Sequence, residues 1–112
     1  MKRTFVYSLA FEKFSKDRET LQLEIEKEIL KNPEVGDVVQ GTGGVRKFRL
    51  SDPHRGKGKR GGLRIFYLDL SNVQRTHVLW LLEKGEKEDL STIEKNALYE
   101  VVQKIKAEAK LL

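Results

Sequence analysis

The chain has 112 residues, 38% of them hydrophobic and 35% charged, and 22 lysines and arginines stand against 17 acids for a formal net charge of +5. Those proportions fit one modest soluble domain spanning residues 1–112 and exclude a disordered chain. With no cysteine and only two histidines, disulfides, thiolate sites and a structural zinc site are excluded, so neither metal nor cofactor is expected.

The apolar run that starts at Phe5 is interrupted by Ser8 and ends at Glu12. That is too short and too polar for a secretory leader. No stretch approaches the roughly 20 apolar residues of a membrane span. A cytoplasmic location with no membrane contact is expected.

Residues 3–7 (RTFVY) are β-branched and aromatic and read as a first strand. Ser8 can cap a short helix over 9–16, where Phe11 and Phe14 share a face. Residues 17–31 read as a longer helix. Asp17 is its candidate cap, Leu21, Ile25 and Ile29 recur every four residues with Leu30 alongside, and Asn32-Pro33 stops it. Residues 35–44 form a connector with Gly36, Gly41, Gly43 and Gly44, and Val38-Val39 is a short extended piece within it. The glycine spacing matches neither nucleotide-binding pattern, so these glycines are expected to serve turns with positive φ.

Residues 45–50 (VRKFRL) read as a second strand. Period two places Val45, Lys47 and Arg49 on one face and Arg46, Phe48 and Leu50 on the other. Residues 51–62 form a loop punctuated by proline and glycine. Residues 63–70 (LRIFYLDL) are apolar on both faces and read as a central third strand. Residues 76–82 (THVLWLL) form a fourth strand, antiparallel to the third. After the charged loop 83–89, Ser91 and Glu94 make a capping box for a final helix. Its expected buried stripe is Ile93, Ala97, Leu98, Val101, Val102, Ile105 and Ala109. This order predicts an α+β fold: a small antiparallel four-stranded sheet with two N-terminal helices and a C-terminal helix, the helices covering one face.

The charge is concentrated. Residues 43–64 (GGVRKFRLSDPHRGKGKRGGLR) carry eight basic side chains and one acid, a local +7, whereas the rest of the chain sums to −2. Such a patch attracts polyanions, and nucleic acid is the commonest in a cell. No G-x-S-x-G elbow and no H-E-x-x-H constellation is present. Clustered cations suffice for RNA cleavage in which a ribose 2′-hydroxyl attacks the adjacent phosphate. Cations stabilise the gathering negative charge, one group accepts a proton and another returns one. Arginine can only clamp and stabilise, whereas lysine can transfer a proton. Lys47 is therefore assigned the proton transfer and Arg49 and Arg64 the phosphate. The alternative is that all three bind phosphate without catalysis. His54, in the loop, is a second candidate acid or base. His77 alternates among apolar strand residues and reads as packed or hydrogen-bonded.

The runs GDVVQGTGGVRKFRL and GKGKRGGLRIFYL, followed by EKGEKEDL and a capped helix, resemble the RelE/HigB toxins of bacterial type II toxin–antitoxin pairs. The likeness is closest to the HigB branch, with its G-T-G-G and G-K-G-K-R-G-G signatures, and spans residues 30–105. The resemblance implies a RelE-like fold and a ribosome-dependent mRNA endoribonuclease. Such a toxin enters the small-subunit decoding site, cuts the exposed mRNA codon without metal, and is silenced by a cognate HigA-like antitoxin. It also implies that Lys47 and Arg49 match the family's K-x-K/R pair, Arg64 the arginine opening the third strand, and Lys84 and Glu86 the lysine and acid of a G-K-N-E-type loop. Arg46, His54, Lys57, Lys59 and Arg60 complete the expected RNA-binding set. Where close relatives carry Tyr-Gly-Lys-Asn-Glu, this chain has Leu82-Glu83-Lys84-Gly85-Glu86, so a base-stacking tyrosine is absent there. Two other classes stay open: a non-catalytic toxin on the same scaffold, of the gyrase-inhibitor type, and a plain RNA-binding module.

Overall fold

Strand residues that are apolar on both sides must be covered on both sides, and the segment LRIFYLDL meets that demand at the centre of a sheet. The computed structural model describes residues 3–16, 18, 20–50, 62–83 and 89–111. Its elements are β1 (Thr4–Tyr7), α1 (Leu9–Ser15), α2 (Leu21–Lys31), β2 (Asp37–Val38), β3 (Arg46–Leu50), β4 (Leu63–Leu70), a 3-10 turn (Ser71–Val73), β5 (Arg75–Glu83) and α3 (Thr92–Leu111). The sheet has five strands in the order β1-β5-β4-β3-β2. Among the described residues, no helix is long and apolar enough to cross a membrane.

This α+β architecture differs from the expected one in three respects. First, the sheet has a fifth strand, because Asp37 and Val38 pair with Lys47 and Arg46. Second, the sheet is mixed. β1 runs parallel to β5, from Thr4 beside Arg75 to Tyr7 beside Val78, while the other three pairings are antiparallel. Third, the helices cover both faces. Phe11, Leu21, Ile25 and Ile29 pack with Phe48, Leu63, Ile65, Tyr67 and Val78 on one side. Val102 and Ala109, with Leu98 and Ile105, pack with Phe66, Leu68, Leu70 and Leu79 on the other. Alternate residues of β4 thus feed two separate cores.

Helix α1 is capped as expected. The Ser8 hydroxyl accepts from the Phe11 amide at 3.1 Å and donates to the Leu79 carbonyl at 2.9 Å, which ties the helix to β5. Helix α2 begins at Leu21, not at residue 17. The Arg18 amide reaches the Ser15 carbonyl and the Leu21 amide the Arg18 carbonyl, so a turn separates the two helices. Thr20 occupies the cap position without a side-chain bond, and the expected cap Asp17 lies outside the described residues. Leu21, Ile25 and Ile29 are buried, whereas Leu30 is exposed. The capping box of α3 forms with both bonds, 2.8 Å from the Ser91 amide to Glu94 and 3.1 Å in return. Its buried stripe is narrower than expected, because Ile93, Ala97 and Val101 are exposed. Ala97, Leu98 and Val101 instead border an apolar groove floored by Leu79 and Trp80.

Polar contacts fix the edge strand β1. The Arg3 guanidinium pairs with Asp69 on β4, and Thr76 of the intervening β5 donates to the same carboxylate at 2.8 Å. Both side chains of the ion pair are only 12% exposed. Tyr7 donates to Glu26 of α2 at 2.5 Å, and burial, with that carboxylate, pushes its phenol well above the usual range. His77 is buried and accepts from Arg75 Nε at 3.0 Å, as its place in β5 suggested. Burial holds its imidazole below the ordinary 6.5, Arg75 acts in the same direction and Glu108 opposes both.

Removing Asp69 strands a largely buried guanidinium. Asp69→Ala is expected to cost about 2–4 kcal/mol, read as a lower midpoint in urea unfolding. His77 has a folded pKa below its unfolded one, so its contribution is complete above the unfolded value and is lost as pH falls below it. Stability should therefore decline on acidification below about pH 6.5. His77→Gln should flatten that decline, measured as urea midpoints at several pH values.

Candidate functional site

Strand β3 sorts its five side chains by alternation. Arg46, Phe48 and Leu50 turn toward α1 and α2, while Lys47 and Arg49 turn to the opposite face. Register then brings the third cation. Arg49 lies directly across from Arg64 of β4, and Lys47 across from Phe66. Opposed residues on neighbouring antiparallel strands have Cβ atoms about 5 Å apart, so the three cations form one cluster at the end of the sheet. Lys47, Arg49 and Arg64 line a single open depression of roughly 350 Å³, whose rim includes Gly36, Asp37 and Glu28. Arg49 is exposed and Lys47 and Arg64 are half-buried.

The connector before β3 is built to bring its backbone against this site. Gly36 has φ +88°, and a Cβ there would stand 2.0 Å from the Lys47 carbonyl oxygen. Only glycine permits that approach. Thr42 closes the following turn: its hydroxyl donates to the Val39 carbonyl at 2.7 Å and accepts from the Val45 amide at 3.1 Å. Lys106 of α3 donates to the Gly43 carbonyl at 2.7 Å. On the other face, Arg46 donates to the main-chain carbonyls of Glu34 at 2.8 Å and Gly36 at 3.1 Å. That guanidinium, expected to hold RNA, clamps the connector and lies apart from the Lys47 face. Tyr67 adds two bonds from beneath, to the carbonyls of Pro33 at 3.1 Å and Val35 at 2.7 Å.

The charge at the site is not purely positive. Lys47 Nζ lies 3.1 Å from Asp89 Oδ2, and Asp89 Oδ1 accepts from the Leu90 amide at 2.8 Å. Partial burial would raise the Asp89 carboxyl, but the Leu90 amide and the Lys47 ammonium outweigh it and hold the group below the usual carboxylate range. Asp89 precedes the Ser91 capping box, and no local pattern in the sequence marks it as part of the site. Leu82 is buried opposite Arg64, and the partly exposed Trp80 sits two positions earlier on the same face. The remaining expected site residues, His54, Lys57, Lys59, Arg60 and Lys84 with Glu86, lie outside the described residues.

A lysine and two guanidiniums around an open approach suit a phosphodiester, whose charge they can neutralise on one side. No model of a known protein family matches the chain.

The close approach at Gly36 makes a sharp test of how the site is held. Gly36→Ala combines left-handed strain with a clash against the backbone of β3 and is expected to cost at least about 2 kcal/mol. Urea unfolding measures it. Gly41→Ala, where a Cβ meets nothing within 4 Å, bears only the strain and should cost less.

Proposed function

We propose that this chain is a toxin of the RelE/HigB type, nearest the HigB branch, with a RelE-like fold: a metal-independent endoribonuclease that cuts mRNA in the small-subunit decoding site and is neutralised by a HigA-like antitoxin. One observation carries the reading. The two residues of the K-F-R strand and the arginine that opens the next long strand share one face and line one depression. The sheet with helices on both faces and the capped last helix are compatible with such a fold.

In this reading the 2′-hydroxyl gives its proton to a solvent base, its oxygen attacks phosphorus and bonds to it, and the bond from phosphorus to the 5′-oxygen breaks. The products are a 2′,3′-cyclic phosphate and a free 5′-hydroxyl. Arg49 and Arg64 stabilise the charge on the non-bridging oxygens, which exceeds that of the ground state. Lys47, placed between the guanidiniums and Asp89, supplies the proton that the 5′-oxygen takes up. The +7 stretch provides attraction to RNA, and an acidic antitoxin segment can cover it by charge.

Expression of the protein alone should arrest growth and leave mRNA truncated within codons. Arg64→Ala and Lys47→Ala should each lower ribosome-dependent cleavage by about a hundredfold or more, read by primer extension on translated mRNA. Variants that inhibit as strongly as wild type would remove the catalytic assignment. DNA breaks without truncated mRNA would favour the gyrase-inhibitor class. Salt-dependent RNA binding without cleavage would favour a simple binding module.

A further inference from the structure

We infer that Asp89 is a positioning residue of this site, whose carboxylate holds the Lys47 ammonium where it meets the scissile phosphate. The inference rests on the proposed nuclease reading. Lysine carries a compact charge on a four-carbon stem with three donors, so nothing within the residue fixes its direction. Asp89 does so with one oxygen, at 3.1 Å, and leaves the other donors of the ammonium for a phosphate.

The carboxylate is itself well anchored. Its second oxygen takes the Leu90 amide at 2.8 Å, Leu90 is buried in the α3-side core, and the Ser91–Glu94 box follows at once. Chain direction changes here from loop to helix, so Asp89 is fixed relative to both α3 and β3. Lys47 is fixed in turn by β3, whose neighbours are Gly36-Asp37 on one side and Phe66 on the other. Two rigid elements thus set the two ends of the pair.

The sign of the charge is informative. A site that only gripped RNA would gain from lacking an acid beside its lysine, because a carboxylate repels phosphate. Asp89 therefore weakens attraction while directing the proton donor. Asparagine has a single oxygen, so it keeps the bond from the Leu90 amide but presents an NH2 where Lys47 met the second carboxylate oxygen, and both the charge and that acceptor are lost.

The experiment compares wild type with Asp89→Asn on programmed ribosomes in single turnover, and measures binding to a short RNA oligonucleotide separately. Cleavage should fall ten- to a hundredfold, while oligonucleotide binding stays equal or tightens up to about fivefold and the urea midpoint is kept. Asp89→Glu should restore part of the rate. In a Lys47→Ala background, Asp89→Asn should change cleavage less than twofold. Wild-type cleavage by Asp89→Asn, joint loss of cleavage and binding, or losses that multiply with Lys47→Ala would each overturn the role of Asp89 alone. Wild-type protein that leaves ribosome-bound mRNA intact would instead overturn the nuclease reading, and this assignment with it.

Discussion

Arg49 and Arg64 stand opposite each other on adjacent antiparallel strands, and everything near them is arranged to bear that repulsion. Like charges in such a pair disfavour the sheet by up to about 1 kcal/mol. The pair is held by what lies beneath and beside it. Phe48, between Lys47 and Arg49 in sequence, turns inward and meets Tyr67 edge-on at 5.7 Å. Leu63 and Ile65, which flank Arg64 on β4, are fully buried. Burial also pushes the Tyr67 phenol up to about 12, so it stays a donor to the Pro33 and Val35 carbonyls throughout the physiological range. Apolar burial on both faces thus outweighs a local electrostatic cost that the site requires.

The same alternation divides the basic stretch into separate tasks. Arg46 and Lys47 are neighbours in sequence, yet one clamps the glycine connector and the other faces an acid across the sheet. Net charge therefore describes the field around the patch but not the duty of any one cation. Only the pleat and the cross-strand register separate those duties. Gly36 shows how closely the two are coupled, since the carbonyl that crowds it belongs to Lys47 and the carbonyl that Arg46 grips is its own.

Local signals were readable in the chain and long-range ones were not. Period two put Lys47 and Arg49 on one side, spacing by four marked the buried face of α2, and the Ser91–Glu94 spacing marked the start of α3. These patterns depend on residues a few positions apart. The direction of β1 depends on Thr4 meeting Arg75, and a strand pattern holds no sign for parallel or antiparallel pairing. Helices on both faces follow from β4 being apolar on both, a pattern that marks a central strand without saying what covers each side. The buried stripe of α3 is narrower than its apolar spacing, which does not say how wide the covered strip is. Asp89 and Lys47 are 42 positions apart, and no local motif joins them.

The parallel pairing of β1 with β5 has a consequence for the order in which the chain assembles. Synthesis runs from the N-terminus, so β1 leaves the ribosome long before the residues that receive it. Its ladder, the bond from the Ser8 amide to Val78 and the Arg3–Asp69 pair all wait for residues 69–79. Closing so long a loop is slow and comes after local structure has formed. Until then Phe5 and Phe11 have no hydrophobic partner from the sheet, and the nascent chain presents a sticky N-terminal segment of the kind that chaperones hold.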